Sequence, residues 1–147
     1  MLPGDRLRVF FDADVLIAGS VSTTGASHLL VRLSELGLIQ GLTCSQAVQE
    51  AERNLRRKVP AALPAFRAIV AAAEITVLPD ARREWLDRVH GLAHEDDLPI
   101  LASALEGKSD YLTTFNVRHY RISQGEMRVA RPGDIVARLR RALASIE

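Results

Sequence analysis

Chemistry in this chain starts from a carboxylate set among apolar residues. Asp12 lies in Val9-Phe10-Phe11-Asp12-Ala13-Asp14-Val15-Leu16-Ile17, where seven of the nine residues are apolar. The segment reads as a buried strand running into a buried turn, where an uncompensated ionised carboxylate costs several kcal/mol. A protein can compensate it with a bound cation, a paired base or the amides of a helix start. No Lys or Arg occurs between Arg8 and Arg32, so no local base serves. A metal ion or a helix terminus is left, and either marks the active centre. Asp14, two residues on, reads equally as a helix N-cap and as a second functional acid.

Three further stretches carry groups of the same kind. At about 100° per residue, Ile100, Leu101, Ala104 and Leu105 define one helix face, and Asp97 falls in the middle of it one turn earlier. Asp96 lies toward its edge. Asp97 therefore points inward at a helix start, as a cap or as a functional acid. Glu50 and Glu52 both flank the apolar face of Ala47, Val48, Ala51 and Leu55, and periodicity does not choose between them. A solvated helix face suits either. Thr114 and Asn116 follow a strand end and offer short polar groups there, as an ordinary turn also does. His90 and His94, one helical turn apart with Glu95 and Asp97 nearby, form a zinc alternative. The stretch lies between helices and lacks a Glu beside the first His, which argues against it.

Such groups need strand ends and helix starts to position them, and the chain supplies both in alternation. An apolar strand over 7–12 precedes a helix from Ala26, with Leu29, Leu30, Leu33 and Leu36 on one face and Gly37 as its C-terminal cap. A strand over 39–44 leads to Ser45 as N-cap and a helix through Lys58. An Ala-rich helix between Pro60 and Glu74, a strand over 75–78 and a helix over 83–90 capped by Asp80 come next. The next helix begins near Asp96 or Asp97, with Pro99 in its first turn and Gly107 past its end. Strands over 111–114 and 127–130 and a last helix from Gly133 complete the series. This alternation predicts an α/β domain with a mainly parallel sheet covered on both faces, whose sites form at the carboxyl ends of strands.

The 147 residues read as one domain over 1–147. Hydrophobic content of 48% with 25% charged residues is that of an ordinary soluble globule. The start Met1-Leu2-Pro3-Gly4-Asp5-Arg6 lacks the basic and apolar regions of a signal peptide. No uncharged apolar run approaches the roughly 18 residues of a membrane span, so no membrane partner is expected. A single cysteine, Cys44, excludes an internal disulfide and fits a reducing cytoplasm. Net charge is +1, so the overall field selects no partner. Of the 19 basic residues 17 are Arg, which suits phosphate binding but follows more simply from a GC-rich genome.

In their order these segments resemble the PIN-domain ribonucleases, a family that includes toxins of many bacterial and archaeal toxin–antitoxin pairs. The likeness rests on Phe11-Asp12-Ala13-Asp14-Val15-Leu16-Ile17 and on Ser45-Gln46-Ala47-Val48-Gln49-Glu50 with Asn54-Leu55. It continues in Asp96-Asp97-Leu98-Pro99-Ile100-Leu101-Ala102-Ser103-Ala104-Leu105 and in Asp110-Tyr111-Leu112-Thr113-Thr114. Each motif alone is loose; their order and spacing over nearly the whole chain make the match. The resemblance implies a three-layer α/β/α fold and a metal-dependent ribonuclease. It makes Asp12 the first metal-binding carboxylate, selects Glu50 over Glu52 as the second, and makes Asp97 the third. The family often has Asp at the position of Asn116, in a Thr-Gly-Asp motif that reads Thr114-Phe115-Asn116 here, and frequently Asn at the position of Asp14. The acid count is preserved if Asp14 exchanges for the acid missing at Asn116, with Thr114 and Asn116 in support; otherwise Asp14 is only a cap.

Hard oxygen donors without clustered Cys select Mg²⁺ or Mn²⁺. Such an ion would relieve repulsion among the carboxylates and activate a water against a phosphodiester, with a second ion about 3.5–4 Å away in the two-metal version. Asn116 in place of an acid predicts a weak second site. Arg118 and His119, just past the fourth strand, are candidates to hold the backbone of an RNA substrate, or else face solvent in a loop. An antitoxin protein and a second copy of the chain are the other partners the resemblance admits. The alternative enzyme is a haloacid-dehalogenase-like phosphatase with Asp12 as nucleophile. Asp12-Ala13-Asp14 fits its first motif, but Val15-Leu16 replace the Gly-Thr usually found next. A non-catalytic PIN-like module binding RNA or protein is the third reading, kept open by Asn116.

Overall fold

The structure is a computed structural model that describes residues 6–123 and 125–145; residues 1–5, within the stretch read above for a signal peptide, lie outside the described residues. Among the described residues five strands form one parallel sheet in the order β3-β2-β1-β4-β5. They are β1 (Leu7–Phe11), β2 (Ile39–Cys44), β3 (Thr76–Leu78), β4 (Tyr111–Thr113) and β5 (Arg128–Ala130). β1 is the central strand. It pairs with β2 from Leu7 opposite Ile39 to Phe10 opposite Leu42, and with β4 from Val9 opposite Tyr111 to Phe11 opposite Thr113. Val9, Phe10 and Phe11 are wholly buried although they point to alternating faces, the mark of a parallel strand covered on both sides.

Among the described residues seven helices supply the cover: α1 (Ala13–Val21), α2 (Ala26–Glu35), α3 (Ser45–Lys58), α4 (Leu63–Ala72), α5 (Arg83–Arg88), α6 (Leu98–Glu106) and α7 (Pro132–Ala144). The result is the expected three-layer α/β/α arrangement. From β1 the chain steps outward through β2 to β3, then returns to lay β4 and β5 on the other side of β1. The winding therefore reverses between β1 and β4, and a crevice opens at the carboxyl edge of such a switch point. Asp12 leaves β1 at that edge, and Thr114 leaves β4 beside it.

Several local expectations are corrected. The turn after Asp12 is a nine-residue helix, α1, which burial of Ala13, Val15, Leu16 and Gly19 leaves without a polar stripe to reveal its period. Gly19 is required there, because a Cβ would stand 2.7 Å from Cγ2 of Val31 on α2. α2 buries Ser27, Leu30, Val31 and Ser34 in the core, with Leu29 and Leu33 packed half-buried against it, and only Leu36 of the Leu-rich face is exposed. The Ser34 hydroxyl is satisfied by donating to Ala73 O at 2.8 Å, which lets a polar residue occupy the inner face. Ser45 is the first residue of α3 and not its cap; Cys44 holds that position without a side-chain hydrogen bond. Asp80 does not cap α5 either, which Arg82 precedes.

Candidate active site

Asp12 is 8% exposed. Its N–H donates to Thr113 O at 3.1 Å, which extends the β1–β4 pairing by one residue and fixes its backbone. Its side chain is the N-cap of α1, with Oδ1 accepting from Ala13 N–H at 2.8 Å. The helix start thus provides part of the compensation a buried carboxylate needs. Oδ2 accepts from the Tyr120 hydroxyl at 2.9 Å. The cap of α1 is therefore Asp12, and the reading of Asp14 as N-cap fails.

The cavity beside Asp12, about 560 Å³, brings Asp14, Glu50, Asp97, Asn116, His119 and Tyr120 into one wall with it. They reach the wall from four parts of the fold: the start of α1, the middle of α3, the approach to α6 and the loop after β4. Glu50 and Glu52 part company here. Glu52 pairs with Arg67 on α4, at 2.6 Å, while Glu50 lines the cavity half-buried. Asp97 holds the cap position of α6, yet its side chain makes no capping hydrogen bond. Asp14 uses Oδ2 to hold the loop after β4, accepting from Phe115 N–H (3.0 Å), the Asn116 amide (3.2 Å) and the Thr114 hydroxyl (3.3 Å). Thr114 is fully buried and also accepts from Asn116 N–H at 3.1 Å, so it supports the wall and does not line it.

The electrostatics come from this crowding. Burial raises the Glu50 carboxyl above its ordinary range, and the charges of Asp12 and Asp97 raise it further. Burial and then Asp12 raise Asp97, against an opposing pull from His119 and His94. Asp14 is raised by burial and then by Asp12. Three carboxylates are thus harder to ionise than normal, and Asp12 contributes to all three.

This donor set suits a hard divalent cation, being all oxygen and mutually repulsive. One observation points the same way: Asp14 Oδ1 is buried with no hydrogen-bond partner among the described residues. The side chains nevertheless stand apart, since among the described residues no three His, Cys, Asp or Glu are gathered closely enough to hold an ion as they stand. The zinc alternative loses its geometry. α5 ends at Arg88, and Gly91 with φ 81° separates His90 from His94, so the two do not share a helical turn. His94 instead accepts from Asp96 N–H at 3.2 Å.

A profile of the PIN domain matches residues 8–118, most of the chain. The chain belongs to the PIN-domain family. The matched span contains Asp12, Glu50, Asp97, Thr114 and Asn116, and ends two residues before Tyr120. No curated protein matches the chain. PIN domains are in general nucleases, hence hydrolases, which leaves the haloacid-dehalogenase-like phosphatase reading without support. No helix among the described residues is long and apolar enough to cross a membrane.

The PIN domain carries its cations on either side of the acids. A cavity of about 690 Å³ shares Glu50, Asn54 and Asp96 with the acidic one and is lined by Arg53, Arg56 and Arg57 of α3. Lys58 joins the wall of the acidic cavity itself. On the opposite flank, Arg118 and Arg121 line a smaller cavity with His94, Asp97 and His119. Sequence reasoning named Arg118 and His119 but missed the α3 arginines, whose i, i+3, i+4 spacing was a legible stripe. It also missed Tyr120, for which no local signal exists.

Proposed function

We propose that this PIN domain is a Mg²⁺- or Mn²⁺-dependent ribonuclease working at Asp12, Glu50 and Asp97. The observation that carries the reading is the convergence of these carboxylates on one cavity at the switch point of the sheet, with arginines on both flanks. Asp12, Glu50 and Asp97 would hold the ion, and Asp14 Oδ1 offers a further oxygen. When bound, the ion supplies Lewis-acid polarisation of a water and of the phosphate. The chain's own groups supply the rest. Arg53, Arg56 and Arg57 suit phosphates, which a guanidinium binds with two parallel hydrogen bonds. Arg118 and His119 serve the strand on the other flank. Asn116 donates to Asp14 and adds no charge, so the site is read as holding one ion firmly and a second weakly.

The reading of the protein as a toxin with an antitoxin partner is supported by the motif resemblance of residues 11–17 and 96–105. Cell growth on expression of the parent and of Asp97→Asn tests it, with arrest expected only for the parent. The catalytic reading is tested by incubating the purified protein with labelled single-stranded RNA in Mg²⁺, in Mn²⁺ and in chelator. RNA should shorten with either ion and stay intact in chelator and in Asp97→Asn. Intact RNA under all conditions would leave the non-catalytic binding module as the better reading.

A further inference from the structure

We infer that Tyr120 is a positioning residue for the acid cluster: its hydroxyl fixes the orientation in which Asp12 presents its carboxylate to the cavity. The inference rests on the reading of Asp12 as a metal ligand. β1 and the Thr113 carbonyl settle where the Asp12 backbone lies, but not its side-chain torsions. Those are set by two donors, Ala13 N–H on Oδ1 at 2.8 Å and the Tyr120 hydroxyl on Oδ2 at 2.9 Å. The first is local and comes with the start of α1. The second spans 108 residues and is a tertiary constraint.

The phenol is itself held. Tyr120 is 6% exposed and closes a 3-10 turn, Val117–His119, through its N–H to Val117 O at 3.4 Å. The next residue, Arg121, donates its N–H to Leu92 O at 2.8 Å, in the connection that leads into Asp97. The segment bearing Tyr120 is therefore anchored to the same part of the fold that delivers another acid of the cluster. A carboxylate oxygen has two lone-pair directions, so one donor on each Asp12 oxygen leaves one direction on each for the cavity. Partners of this kind orient a ligating side chain, and their loss typically costs 10–100-fold in metal affinity or activity.

Phe at this position keeps the buried ring and removes only the hydroxyl. For Tyr120→Phe we expect Mn²⁺ binding, read by electron paramagnetic resonance, to weaken about 10-fold or more. We also expect kcat on single-stranded RNA to fall with KM little changed, the pattern of a group that acts on the reacting centre and not on substrate binding. Parent-like Mn²⁺ binding in Tyr120→Phe, beside lost binding in Asp12→Asn, overturns the role of Tyr120 and leaves the metal site standing. A parent that binds no Mn²⁺ overturns both. A second measurement needs no variant to fold. The chain has two tyrosines, and Tyr111 lines a separate cavity at the amino edge of the sheet. In protein labelled with 3-fluorotyrosine, Mg²⁺ should shift the ¹⁹F resonance of Tyr120 and leave that of Tyr111 in place. A Tyr120 resonance indifferent to Mg²⁺ overturns the inference.

Discussion

Asp14 is where the geometry makes the sharpest demand, because one of its oxygens holds three donors and the other none. Replacing it by Ala leaves the fully buried Thr114 hydroxyl without its acceptor, at about 1–3 kcal/mol. The Phe115 N–H and the Asn116 amide belong to exposed residues and can turn to water, so each contributes about 0.5 kcal/mol. Removing a carboxylate raised by burial and by Asp12 offsets part of this loss. The net is about 2 kcal/mol, which for a chain of this size lowers Tm by roughly 4–8 °C. Asp14→Asn retains an acceptor oxygen for all three donors and should stay within about 1 kcal/mol of the parent. Thermal melts in chelator read both variants. An Asp14→Ala protein that melts with the parent would refute the clamp. Metal binding then separates the two roles of Asp14. If Asp14→Asn binds Mn²⁺ as the parent does, Asp14 only holds the loop; if binding is lost and restored by adding Asn116→Asp, Oδ1 is a ligand.

Further outcomes are expected from the same geometry. Asp12→Asn should lose Mn²⁺ binding and RNA cleavage while melting no lower than the parent in chelator, since Asp12 raises Asp14, Glu50 and Asp97 alike; a folded variant of full activity would sink the site. Glu50→Gln should lose Mn²⁺ binding and Glu52→Gln should not, which calorimetry with both variants decides. For pH, the three carboxylates have folded values above their unfolded ones, so folding takes up protons. Their contribution is complete below the ordinary carboxylate range near about pH 4 and is lost as pH rises through the raised values. Melts in chelator should therefore rise in temperature as pH is lowered from neutrality toward the ordinary carboxylate range near about pH 4, and less so in Asp12→Asn; a parent profile that falls throughout that descent contradicts the crowding. Glu106, lowered by its hydrogen bonds from Arg82, acts in the opposite sense only at still lower pH. Removing Arg56 or Arg57 should weaken RNA binding and reduce its salt slope by about one per phosphate contact, with Mn²⁺ binding unaffected.

The features legible in the sequence were the places where local rules conflict. Asp12 stood out because a charge interrupts a buried strand, and Asp97 because a charge falls on the apolar side of a helix. Both line the cavity. The strands were legible as short apolar runs whose ends carry Gly, Pro or a change of polarity, and α3 because its helical period is clean. α1 was not, since a helix buried on most sides has no period to show. Neither was the inner face of α2, where Ser34 is acceptable only because Ala73, from the end of α4, supplies an acceptor.

The unread part of the site has one physical cause: choices between equivalent neighbours were made by partners distant in sequence. Glu50 and Glu52 are symmetric about their helix face, and Arg67 of α4, 15 residues on, breaks the symmetry by binding Glu52. Asp12 and Asp14 compete to cap α1, and Thr113 decides the contest by holding the Asp12 N–H in the sheet, so that the helix must begin at Ala13. Once Asp12 is the cap, Asp14 is carried into the first turn and meets the loop after β4, 101 residues away at Phe115. That loop then carries Tyr120 back to Asp12. Asp12 and Asp14 each bond to the segment leaving β4, and β1 and β4 are neighbours only because the sheet reverses its winding there. The same reversal that opens the crevice therefore chooses which acid caps, which clamps and which hydroxyl orients.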